Sequence, residues 1–131
     1  MLRSFLRLCG AALLLSAAAR PALAQVGFLA FGDSITAGVG DDPTRTDKGY
    51  PPRLQALLVN AGIQATVINR GKGGENTQDG LTRIDAVLNE ISTSTEVLLL
   101  MEGTNDLSQG ISFETTMFDL REMRERASSF G

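Results

Sequence analysis

With 131 residues, 43% apolar and 21% charged, the chain has room for one globular domain at most and is too apolar to be a disordered polypeptide. Twelve Lys and Arg stand against fifteen Asp and Glu, there is no histidine, and the single cysteine is Cys9. An acidic balance argues against nucleic-acid binding, and one cysteine excludes an intrachain disulfide or a thiolate metal cage.

The first 24 residues read as an address, not as fold. Arg3 and Arg7 supply a positive start, Leu8 to Ala19 is an uncharged apolar run, and Ala22-Leu23-Ala24 is a small-x-small cleavage site. The expected mature chain begins at Gln25 and is exported, either periplasmic or secreted. The apolar run is too short to span a bilayer, so no stable membrane anchor is expected. Cys9 lies early in that run, away from the place of a lipid-attachment cysteine, and leaves with the signal. The mature 107 residues then hold nine basic and fifteen acidic side chains, a net charge near −6, around a core that is small.

Val26 to Phe31 is apolar, is closed by Gly32, and predicts a buried strand. Gly38 to Gly49, with Pro43 and several charges, predicts a loop. Pro51 and Pro52 open a helix, where a missing N–H does no harm; Leu54, Leu57, Leu58 and Ala61 fall on one face, and Gly62 ends it. Ala65 to Asn69 is β-branched and apolar, a second strand. A turn built on Gly71, Gly73 and Gly74 leads into a helix with Leu81, Ile84, Leu88 and Ile91 on one face. Val97 to Met101 is the third strand, and Gly103 to Asp106 turns again. Ser112 caps a last helix that carries Phe113, Met117 and Leu120 inward and frays into the solvated stretch Arg121 to Arg126. Met101 and Met117 read as core.

The order βαβαβα predicts an α/β domain, a flavodoxin-like three-layer α/β/α arrangement with a parallel sheet of strand order 2-1-3. Ligands of such sheets bind beyond the carboxyl ends of the strands, where the order reverses. Three unusual loops leave those ends. They are Gly32-Asp33-Ser34-Ile35-Thr36-Ala37-Gly38 after strand 1, Asn69 to Thr77 after strand 2, and Glu102-Gly103-Thr104-Asn105-Asp106 after strand 3. Ser34 would lie in the middle, with Gly74 on one side and Asn105 on the other. A serine hydroxyl there can attack a carbonyl. The resulting oxyanion needs preorganised donors, and the Ser34 N–H, the Gly74 N–H and the Asn105 amide are available. Glycine at 74 would allow close backbone approach. Asp33 reads as a hydrogen-bond acceptor for its loop, Asp106 as the holder of its own turn, and Thr36, Asn76 and Thr77 as holders of theirs.

Gly32-Asp33-Ser34 with Gly38, then Gly74, then Gly103-x-Asn105-Asp106 resemble the first three signature blocks of the SGNH (GDSL-type) hydrolases. Within them the sequence is most similar to the bacterial arylesterase, lysophospholipase and thioesterase branch, and the likeness covers nearly all of residues 26–126. The resemblance implies a carboxylic-ester hydrolase acting on a small acyl-ester or thioester substrate. It assigns Ser34 as nucleophile and Gly74 and Asn105 as partners in the oxyanion hole, and it implies no metal or organic cofactor.

The family's fourth block, an Asp-x-x-His that supplies the base and its orienting acid, has no counterpart here. The chain therefore reads as the N-terminal part, residues 25–131, of a C-terminally truncated hydrolase domain that is inactive alone. Lys72 is the one substitute base, but the motif aims a backbone N–H at that place. A non-catalytic exported binding remnant of the same fold is the alternative. A phosphoacceptor receiver shares the sheet order but wants paired acids after strand 1, where only Asp33 stands. The third strand is expected to present an apolar unpaired edge through which the chain self-associates.

Overall fold

The structure is a computed structural model and describes residues 25–90 and 95–130. The expected signal segment and Ile91 lie outside the described residues. In chain order the elements are β1 (Val26–Gly32), α1 (Ser34–Ala37), α2 (Pro51–Asn60), β2 (Ala65–Gly71), α3 (Thr77–Glu90), β3 (Thr95–Met101), α4 (Thr104–Gln109) and α5 (Phe113–Phe130). The strands form a parallel sheet of order β2-β1-β3, as the alternation predicts.

That order places helices on both faces. The chain steps from β1 outward to β2, then crosses back over β1 to reach β3. Right-handed crossovers in opposite directions put their helices on opposite sides of a sheet. Leu29 and Phe31 of β1 point to the face covered by α3 and α5, where they pack with Ile84, Val87, Leu88 and Met123. Parallel register sets Ile68 and Leu98 beside Leu29, and Leu100 beside Phe31, which extends the same apolar face. Phe31 is fully buried, and truncating such a side chain to alanine costs about 3–5 kcal/mol. On the other face α2 packs on β2. There Gln55 Oε1 accepts from the Val67 N–H at 3.0 Å, satisfying a donor on an edge strand.

Several expectations need correction. β2 runs on to Gly71, because polar Asn69 and Arg70 still pair with Ala30 and Phe31 at the sheet's end. Residues 104–109 form a helix, α4, not merely a turn. α5 does not fray at Arg121 but continues to Phe130, held by the fully buried Met123 and by Arg126, which pairs with Asp85 of α3 at 2.9 Å. The inward stripe of α5 is Asp119, Leu120, Met123 and Ala127; Phe113 and Met117 lie off it, 73% and 41% exposed. Met101 is 40% exposed at the open end of β3. On α2 the inner positions are Pro51, Leu54 and Leu58, whereas Leu57 and Ala61 face outward. That helix is apolar over more than one stripe, so spacing alone did not choose its inner face. Ser112 does cap α5, accepting from the Thr115 N–H at 3.2 Å.

Candidate active site

The row of residues that ends the sheet determines the site. Gly32 of β1 pairs with Gly71 of β2 on one side and with Met101 of β3 on the other. Three loops therefore leave at one level from strands about 4.8 Å apart. Ser34, Gly74 and Asn105 follow that row by two, three and four residues.

The first loop is a single helical turn with both ends tied. The Asp33 N–H donates to the Met101 carbonyl at 3.2 Å. Its buried carboxylate accepts from the Ile35 N–H at 2.8 Å and so caps α1, the acceptor role expected of it. Ser34 opens α1, is partly exposed, and has its N–H in a first turn that offers no intrahelical acceptor.

The second loop is locked to the first by Asn69, a residue the sequence reasoning missed. Asn69 Nδ2 donates to the Thr36 carbonyl at 3.0 Å, and its Oδ1 accepts from the Gly71 N–H at 2.9 Å. The Lys72 N–H extends the ladder to the Gly32 carbonyl at 2.8 Å, and the Lys72 side chain is exposed. Gly71 is the glycine of close approach, because a Cβ there would run into the backbone of Thr36 and Ala37. Gly74 has a different reason. A Cβ at that position would meet nothing within 4 Å, but its φ of +79° is left-handed.

The third loop is bound to the second at three points. Asn105 Nδ2 donates to the Glu75 carbonyl at 2.6 Å. Asn76 Nδ2 donates to Gln109 Oε1 at 2.6 Å, while its Oδ1 accepts from the Asp79 N–H at the start of α3. Asp106 does not hold only its own turn. Its Oδ2 accepts from the Thr77 N–H at 2.9 Å, and its Oδ1 accepts from the hydroxyls of Thr77 and Thr116. Thr77 holds more than its own loop, since its hydroxyl also lies 3.1 Å from Asp119 Oδ2 on α5.

Beneath the loops lies a charged layer. Arg83 Nε donates to both carboxylate oxygens of the fully buried Glu75, at 2.8 and 3.0 Å, and the guanidinium stacks 4.1 Å from the Phe31 ring centroid. Glu102 sits against this pair with both carboxyl oxygens buried and without a partner among the described residues. Burial first, then the charges of Glu75 and Asp33, push its carboxyl up to about 8, with Arg83 opposing. The sequence signal for Glu102 was its phase: it follows Leu98 and Leu100 at period two, on the core face. Asp119 had a similar signal, standing beside Leu120 and four residues before Met123 on the stripe of α5 that meets the core.

Comparison with known proteins agrees with this fold. Residues 30–130 match the model of the GDSL-like lipase/acylhydrolase family. Esterase TesA of Pseudomonas aeruginosa is 32% identical over 103 residues, which are 79% of this chain and 49% of that protein. The crystal structure of AlinE4, an SGNH-hydrolase family esterase, superposes with a TM-score of 0.74 at 35% identity, covering 80% of this chain and 54% of that one. The crystal structure of TesA gives 0.71 at 30% identity, covering 80% and 56%. The chain thus spans about half the length of the relatives it matches. With a family match over residues 30–130 and a parallel β2-β1-β3 sheet, the chain belongs to the GDSL-like lipase/acylhydrolase (SGNH hydrolase) family.

Proposed function

We propose that this chain carries the nucleophile and the oxyanion hole of an exported serine carboxylic-ester hydrolase of the arylesterase, lysophospholipase or thioesterase type. The observation that carries the reading is the Gly32, Gly71, Met101 row, from which the loops of Ser34, Gly74 and Asn105 all depart. The Ser34 hydroxyl attacks the acyl carbonyl, and the carbonyl oxygen takes up the negative charge. The N–H groups of Ser34 and Gly74 and the second hydrogen of Asn105 Nδ2 receive that charge. Collapse expels the alcohol or thiol and leaves an acyl-serine, which water hydrolyses. Fixing Asn105 through its other hydrogen to Glu75 pre-sets the donor before substrate arrives.

The serine proton needs an acceptor, and these 131 residues contain no histidine. The base in this reading is a histidine from outside the segment. Joining the segment to a histidine-bearing C-terminal half should produce ester hydrolysis that Ser34→Ala removes.

A further inference from the structure

We infer that Asp119 of α5, acting through the Thr77 hydroxyl, is a positioning residue for the oxyanion hole, although it belongs to none of the three loops. The inference rests on the serine-hydrolase reading of Ser34, Gly74 and Asn105. Its evidence is a buried relay: Thr77 is 0% exposed, Asp106 1% and Asp119 4%. Thr77 Oγ1 donates to Asp106 Oδ1 and lies 3.1 Å from Asp119 Oδ2. Asp106 is the neighbour of Asn105 on α4, and Thr77 follows Gly74 by three residues at the start of α3. One hydroxyl thus stands between the loop of Gly74, the helix of Asn105 and the core-facing stripe of α5.

The geometry leaves little freedom. Asp106 Oδ2 is fixed by the Thr77 N–H at 2.9 Å and Oδ1 by two hydroxyls, those of Thr77 and Thr116. A carboxylate held at both oxygens cannot turn without losing a donor, and Asp106 is itself 1% exposed, which leaves little room for water to take that donor's place. Thr77 carries one hydroxyl hydrogen and both carboxylates lie within its reach, so the hydroxyl is held between Asp106 on α4 and Asp119 on α5. Remove the Asp119 carboxyl and the start of α3 keeps its tie to α4 but loses its polar tie to α5. Thr77 and Asp106 then shift together, and Asn105, the residue before Asp106 on a six-residue helix, moves with them. A displacement of about 1 Å at a catalytic group lowers turnover about 100-fold without a change of chemistry. Substrate affinity depends on other contacts and should change little.

The test uses the complete hydrolase, this segment with the histidine-bearing remainder of its domain, and normalises kcat to the sites labelled by an organophosphonate. Asp119→Leu and Thr77→Val should each lower kcat per labelled site about 10- to 100-fold, with KM within about threefold. Asp119→Asn and Thr77→Ser keep a polar group in place and should restore kcat to near the parent value. Misfolding appears as lost label, not as lost kcat per site. If Thr77→Val gives no labelled protein, the Asp119 pair decides. Parent-like kcat per site in Asp119→Leu overturns the inference, as does an Asp119→Asn variant as impaired as Asp119→Leu. Turnover that survives Ser34→Ala defeats the hydrolase reading itself, a separate result.

Discussion

The Asn105 side-chain amide donates to the Glu75 main-chain carbonyl at 2.6 Å, which ties the third loop to the second across the end of β1. A carboxamide nitrogen carries two hydrogens, so one remains for a ligand. Asn105→Ala removes both. In the completed enzyme it should cost about 10²–10³ in kcat, the range for a single oxyanion donor. It should also cost about 1–3 kcal/mol of stability, because a buried carbonyl loses its donor. Steady-state kinetics and urea titration read the two effects separately. Unchanged kcat would remove Asn105 from the oxyanion site.

Glu102 makes stability depend on pH. Its carboxyl titrates at about 8 in the folded chain, against 4.5 for an ordinary glutamate. Below the ordinary value both folded and unfolded chains hold the proton, and Glu102 contributes no penalty. As pH rises, the unfolded chain ionises first, so folding is progressively disfavoured until the folded pKa is passed. The loss accumulates between pH 5 and pH 8. Glu102→Gln should flatten this part of the profile and be the more stable protein at pH 8. Urea unfolding at the two pH values measures it; parallel profiles for parent and variant contradict it.

β3 is an edge of the three-stranded sheet, and its outer row of peptide groups has no strand beside it among the described residues. Val97 to Leu100 are only half-buried, and Phe113, Met117 and Phe118 add exposed apolar area on α5. An exposed apolar edge recruits other chains. The isolated 131-residue chain should self-associate or fold only partly, as size-exclusion chromatography with light scattering would report. A monomer with a cooperative thermal transition above about 60 °C, the upper part of the mesophile range, would contradict this.

Export is read from Arg3, Arg7, the run Leu8 to Ala19 and Ala22-Leu23-Ala24. The exported protein should begin at Gln25. N-terminal sequencing that returns Met1 from the exported fraction would refute the signal.

The sheet order, the strands and the three loops were legible because they rest on local rules: apolar runs of strand length, proline at a helix start, and glycine after a strand. Ser34, Gly74 and Asn105 stood in the sequence as loop residues at the ends of successive strands, and the ladder register brought the starts of those loops level. What was not legible depends on contacts between distant segments. Asn69 locks onto Thr36, 33 positions away, and Thr77 meets Asp119 across 42. Asp106 read as a turn residue because its partners lie on two other helices. Phe113 and Met117 were misread because apolar character alone does not say which stripe of α5 faces α3. Met123 shows which one does.

The most direct test is hydrolysis of p-nitrophenyl acetate by three proteins: the chain alone, the chain joined to a C-terminal half bearing Asp-x-x-His, and the joined protein with Ser34→Ala. An unassisted serine is a poor nucleophile, and a triad enzyme without its base keeps only about 10³–10⁴ over water. The account predicts marginal hydrolysis by the first, strong hydrolysis by the second and none above the marginal level by the third. Full activity in the histidine-free chain, or full activity that survives Ser34→Ala in the joined protein, would contradict it.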